Sequence, residues 1–239
     1  MKTIEITGTI IPNEDQMFYD WFGVDATSPR KVKNALAEAG GEEVTVEINS
    51  GGGDLWAGNE ISHALATYAG KVTADITGIA ASAATVVACG ADHVRMSPGA
   101  QYMIHNVSSF AFGDHNEMDK ASGILQNADK ATSNVYRMKT GMSTKKLLEL
   151  MNAETWMDAD KAIKYGFVDE IIGGVEQDNK NPDSFTLIHA VPHCVILSEE
   201  QKAEAKAALQ AGENGKDERI RLMQNQLTLL KLKGGISHV

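Results

Sequence analysis

Two short apolar runs, each halted by small residues and followed at once by a helical pattern, constrain this chain more than any other feature. The first is "EVTVEIN" (residues 43–49), which runs into "SGGGD" and then "LWAGNEISHALATYAG"; the second is "KVTADITGIA" (71–80), which runs into "ASAATVVACG". A strand that turns directly into a helix, twice in about fifty residues, predicts a sheet with helices packed on it and loops gathered at the strand ends. The rest of the chain continues the alternation. "TIEITGTI" reads as a strand, "SPRKVKNALAEAGG" as a helix with Ser28 at its N-cap, Pro29 at the first helical position and Gly40 past its end, and "HVRMS" and "QYMIHNV" as further strands. A long helix is expected over residues 116–139, then helices "STKKLLELMNA" and "DADKAIKYG" and a closing strand "FVDEII". The fold class is therefore α/β.

Composition shifts at "GGVEQDNKNPDS", rich in Gly, Asn, Asp and Pro. The expected organisation is a domain over residues 1–174, a linker over 175–184 and a partly helical extension over 185–239 that includes "EEQKAEAKAALQ" and "DERIRLMQNQLTLLKLK". A formal net charge of −10 and a pI near 5.2 argue against nucleic acid or an anionic membrane as partner, because no Lys/Arg cluster offers a phosphate-tracking face. The opening "MKTIEITGTI" lacks a signal peptide's apolar core, and no apolar run reaches bilayer length, so the expected location is cytoplasmic, with Cys89 and Cys194 as reduced thiols.

Three stretches carry chemistry. In "NSGGGD" (49–54) the glycines permit positive φ and bring bare backbone to a strand end. No Lys-Ser/Thr follows as in a phosphate loop, and Trp56 stands where a dinucleotide fingerprint needs glycine. In "GIAASAATVVACG" Ser82 sits at a strand-to-helix junction between Ala80, Ala81, Ala83 and Ala84, the steric requirement of a nucleophile elbow in Ala-x-Ser-x-Ala form; the competing reading is a plain helix N-cap. On the elbow reading, the backbone N–H groups of Ala83 and Gly53 point to an oxyanion hole. A serine nucleophile needs a base, and His105 in "YMIHNV" ends a strand of the same expected sheet, whereas His63, His93 and His115 read as surface or packing residues. No histidine pair has ligand spacing on a shared face, so no metal is expected, and no cofactor is required. For the acid, "AETWMDAD" offers Glu154, Asp158 and Asp160 without a choice among them.

These residues resemble a family. "INSGGG", "GIAASAA", "YMIH" and "DADKAIKYGFVDEI" are similar, in order and spacing over roughly residues 44–172, to motifs of the Clp protease proteolytic subunit, ClpP. With "DWFG", "SPRKVKNALAEA" and "ETWM" added, the chain looks closest to the ClpP-related head maturation (prohead) proteases of tailed phages. The resemblance implies a crotonase-like fold of repeated β-β-α/βα units and a Ser82–His105–Glu154 triad, with oxyanion amides from Gly53 and Ala83. It also implies a homo-oligomer, ring-shaped in that family, and capsid or scaffold proteins as substrates. Gly51 replaces the family's usual proline and Glu154 its commoner aspartate. Nothing in the sequence marks a docking surface for an unfoldase ATPase. The stripe Met118, Ala121, Leu125, Ala128, Thr132 and Val135 on the long helix is expected to join subunits. The competing functions are a crotonase-type acyl-CoA enzyme, which lacks a basic site for the CoA phosphates, and an inactive capsid-assembly protein.

Overall fold

A computed structural model describes residues 2–173 and 195–210. In chain order the elements are β1 (Lys2–Ile10), α1 (Gln16–Phe22), β2 (Ala26–Thr27), α2 (Pro29–Ala39), β3 (Val44–Gly53), α3 (Leu55–Ala66), β4 (Val72–Ala81) and α4 (Ala83–Ala88). They continue with β5 (His93–Met96), β6 (Gln101–Ile104), α5 (His115–Thr140), α6 (Thr144–Asn152), β7 (Thr155–Met157), α7 (Ala159–Lys164), β8 (Glu170–Ile171) and α8 (Glu199–Gln210). Of the expected elements, "FVDEII" is a strand only over Glu170–Ile171, and Phe167 and Val168 are core residues instead. Three pieces had no sequence signal: α1, and the two-residue β2 and three-residue β7, too short to show a period.

The strands form one sheet in the order β2-β1-β3-β4-β5-β8, with every pairing along this path parallel. The core-facing residues of β3 and β4 alternate with polar ones, Thr45 and Glu47 on β3 and Thr73 and Asp75 on β4. Val44, Val46 and Ile48 of β3 and Val72, Ala74 and Ile76 of β4 all have essentially no exposed surface. β4 serves two neighbours in turn: residues Thr73–Ile76 pair with β5, while Ile79, Ala80 and Ala81 pair with β6. β7 then adds antiparallel to β6. The second half of β4, together with β6 and β7, forms a short side-sheet at the C-terminal end of the strands, where ligands of parallel α/β sheets gather.

α5 divides along its length. Ala128, Thr132, Ser133 and Tyr136 are buried and Val135 packs against the core, but Met118 is 38% and Ile124 58% exposed. At 26 residues the helix is about 39 Å long, and its buried residues begin only at Ala128, so its first half projects from the core. The stripe read from the sequence is thus an internal seam over its C-terminal half only.

A second apolar cluster joins Ile11, Tyr19, Phe22, Val24 and Ala26 to Leu197 and Ala205. Backbone and side chain reinforce it: the Tyr19 hydroxyl donates to the Val195 carbonyl at 2.8 Å, and Lys202 pairs with Asp15 at 2.6 Å. The near part of the extension therefore lies on the N-terminal segment. The linker 175–184 and the helical segment "DERIRLMQNQLTLLKLK" lie outside the described residues. Leu→Ala substitutions at well-packed sites cost about 2–5 kcal/mol. Leu197→Ala is expected to speed hydrogen exchange of the α8 amides while leaving β3 and β4 unchanged, which amide exchange read by mass spectrometry checks.

Candidate active site

The strand register sets the site. β4 and β6 run parallel with Ala81 opposite Met103, so Ser82, the next residue, leaves the sheet beside the end of β6 and donates its N–H to the Met103 carbonyl at 2.9 Å. His105 follows Ile104, the last residue of β6. The antiparallel pair of Ile104 with Thr155 then puts Glu154 across from His105. Asp158 lies at the other end of β7, where its carboxylate caps α7 through the Lys161 N–H at 2.8 Å.

Ser82 adopts φ 55° and ψ −125°, and although it stands at the N-cap position of α4 its side chain makes no capping hydrogen bond. The hydroxyl instead meets His105 Nε2 at 2.7 Å. Ser82 is thus not a plain cap, since a capping residue has extended backbone and turns its oxygen to the helix N–H groups. Among the described residues the only non-glycine residues with positive φ are Ser82 and Glu154, and both lie here. Strain of this kind persists only where surrounding structure imposes it, and it concentrates at functional sites.

The glycine loop explains how the elbow is held. A Cβ on Gly52 would lie 2.6 Å from the Ala81 carbonyl oxygen and 2.8 Å from Ser82 Cβ, so only a glycine lets β3 approach the turn. The residue that presses on the elbow is Gly52, with φ 99°, one before the Gly53 whose N–H is expected at the oxyanion hole. Gly53 and Ala83 line a cleft of about 300 Å³ together with Ser82, His105, Asp54 and Trp56. Behind the elbow, the Thr85 hydroxyl meets the Tyr136 hydroxyl at 2.7 Å, and the Tyr102 hydroxyl donates to the Thr85 carbonyl at 3.2 Å. α4 is thereby tied to α5 and β6.

Burial holds the His105 imidazolium below the ordinary histidine value of 6.5, against the opposing charges of Glu154 and Asp129. The ring is therefore a neutral base at pH 7. Glu154 itself is exposed, and its carboxylate accepts from Trp156 Nε1 at 3.2 Å; among the described residues no hydrogen bond joins it to His105. Asp129 gave no sign in the sequence, where it sat between the residues of an apolar stripe. It accepts the Val107 N–H at 2.6 Å. Cys89, packed against the core, is not a reactive thiol, because burial pushes its pKa up to about 12. Among the described residues no group of three or more His, Cys, Asp or Glu converges as a metal site, and no helix is long and apolar enough to cross a membrane.

A family model described as Clp protease matches residues 31–175, more than half of the chain. The chain belongs to the Clp protease family. It is similar to the ATP-dependent Clp protease proteolytic subunit of Leuconostoc citreum, at 31% identity over 137 residues covering 55% of this chain and 68% of that protein. The subunit of the same description from Streptococcus mutans is 32% identical over 135 residues, covering 55% and 69%. Among solved structures, a ClpP1 mutant from Listeria monocytogenes matches with a TM-score of 0.59 and 22% identity, over 72% of this chain and 92% of that one; this likeness shows a ClpP-like fold. With family and fold established, the chain is a serine-type endopeptidase of the Clp protease family.

Two outcomes follow from the elbow and the base. Gly52→Ala is expected to keep the sheet folded but to lower fluorophosphonate labelling at residue 82 by at least tenfold, as read by intact-mass kinetics, because the added methyl displaces the Ala81–Ser82 peptide. Wild-type labelling should rise with pH through an apparent value below 6.5 and level off near pH 7, since only neutral His105 accepts the serine proton.

Proposed function

We propose that Ser82, His105 and Glu154 act as a catalytic triad for peptide hydrolysis, with the backbone N–H groups of Gly53 and Ala83 as oxyanion donors. The observation that carries this reading is the 2.7 Å contact between Ser82 Oγ and His105 Nε2 on an elbow whose serine does not cap its helix. Ser82 Oγ bonds to the scissile carbonyl carbon while its proton passes to His105 Nε2. The tetrahedral oxyanion is met by the two amides at the cleft. Collapse breaks the C–N bond, and His105 gives its proton to the leaving amine; water then hydrolyses the ester by the same relay. Glu154, across from His105, stabilises the imidazolium. This requires its carboxylate to turn from the Trp156 indole, and the extra methylene of glutamate over aspartate supplies the reach.

The working enzyme is a homo-oligomer acting in the cytoplasm on capsid or scaffold proteins during phage head maturation. Self-association is supported by the apolar side chains outside the sheet body: Phe110 is 68% and Phe112 92% exposed, alongside Met118 and Ile124 on the projecting half of α5. The capsid substrate rests on the likeness of "DWFG", "SPRKVKNALAEA" and "ETWM" to prohead proteases. A crotonase-type thioester reaction would use the two amides without a serine nucleophile, and the hydrogen-bonded Ser82–His105 pair argues for the protease.

Ser82→Ala is expected to cost on the order of 10⁴-fold in peptide cleavage with little change in melting temperature. His105→Ala should abolish fluorophosphonate labelling of Ser82, and Glu154→Gln should lower cleavage less than either. Near-normal cleavage by Glu154→Gln would remove Glu154 from the triad. Leu125 and Ile124 also line the cleft, so assembly is better tested elsewhere. Phe112→Asp should lower the sedimenting mass of a folded protein, and an unchanged sedimentation profile would oppose the assembly role.

A further inference from the structure

His105 stands where regular structure ends: no helix or strand covers residues 105–114, between β6 and α5. Two hydrogen bonds hold the chain as it leaves the histidine. The Asn106 side-chain amide donates to Asn152 Oδ1 at 2.7 Å, and the Val107 N–H donates to Asp129 Oδ1 at 2.6 Å. The second comes from α5, where Asp129 follows the buried Ala128 and precedes the buried Thr132, at the border of the helix's inward face.

We propose that Asp129 is a positioning residue for the reaction: its carboxylate fixes the backbone two residues after His105 and sets its negative charge beside the imidazole. The inference rests on the protease reading of the Ser82–His105 pair. The ionisable groups around His105 come from three elements. They are Asp129 on α5, Glu154 ahead of β7, and Asp54, the cap of α3, in the cleft lining; no lysine or arginine lines that cleft. When Ser82 gives up its proton, the new imidazolium is desolvated, and a nearby anion offsets that cost. Glu154 is bonded to the Trp156 indole, whereas Asp129 is anchored by a backbone N–H and keeps its charge in place. The field of Asp129 also supports the favourable imidazolium–carboxylate arrangement before Glu154 turns. Because Asp129 belongs to the helix whose other half projects from the body, it links the placement of α5 to the basicity of the catalytic histidine.

The test uses the full chain with two substitutions. Asp129→Asn keeps an oxygen for the Val107 N–H and removes the charge, while Asp129→Ala removes both. Asp129→Asn is expected to move the acid limb of the labelling profile down by roughly half a pH unit to one and to lower the plateau rate by about 3- to 10-fold. Asp129→Ala should show the same displaced limb with a larger loss of rate. Imidazole titration by NMR, comparing Ser82→Ala with and without Asp129→Asn, reads the same downward displacement without requiring activity. An unmoved His105 titration overturns the charge role even if rates fall. Equal loss of rate in the two Asp129 variants, with equally lowered melting temperatures, would make the residue structural only. A displaced titration in a protein that neither labels nor cleaves would uphold the Asp129 contact and overturn the protease reading instead.

Discussion

The left-handed backbone at Ser82 is the constraint on which the rest of the site depends. At φ 55° a side-chain-bearing residue loses on the order of 1–3 kcal/mol, and the loss must be offset by contacts on every side of the turn. The structure supplies them in sequence. The Ser82 N–H is fixed to β6, the Ser82 carbonyl accepts from the Thr85 N–H at 3.0 Å, and Gly52 closes against the turn from β3. Tyr136 and Tyr102 brace Thr85 from the far side, with Phe167 packed against both rings at centroid distances of 5.4 and 5.1 Å. The hydroxyl that a relaxed serine would spend on its own helix is thereby freed for His105.

Electrostatics then tunes what geometry has assembled. Burial keeps His105 neutral and able to accept a proton, while two carboxylates on separate elements favour the charged form that the reaction creates. These influences oppose one another in the resting protein, and the proposed mechanism uses them in succession. A base weakened by burial alone would receive the serine proton poorly, and one strengthened by charge alone would already hold a proton at pH 7.

How much of this was legible in the sequence varied with the range of the interaction involved. Strands whose alternate residues are buried, such as Val44, Val46 and Ile48 of β3, announce themselves, as do helix-end signals such as Pro29 and Gly40. The contact between Ser82 and His105 was legible because small residues around a lone hydroxyl and a histidine ending an apolar strand are unusual locally. The placement of Glu154 beside His105 depends on β7, three residues whose only cause is pairing with β6, and no local pattern encodes that. Asp129 was hidden for a related reason: its partner is a backbone N–H, which every residue but proline carries. The stripe of α5 was expected to join subunits, yet over Ala128, Thr132 and Val135 it packs on the chain's own core, because the sequence does not say where the body beneath a helix stops.

The division of β4 between two neighbours has a consequence for how such proteins diverge. Ser82 and Glu154 are located by main-chain pairing, one step beyond Ala81↔Met103 and one step before Ile104↔Thr155, and His105 is the next residue after that ladder. Main-chain ladders are indifferent to which apolar side chain occupies a strand. Interior residues can therefore be exchanged among Val, Ile, Leu and Ala over long lineages while the side chains at 82, 105 and 154 keep their separations, provided no residue is inserted or deleted within 79–82, 101–105 or 154–157. A fold shared at 22% identity is what that arrangement permits. Drift in such a chain is restricted by spacing far more than by composition.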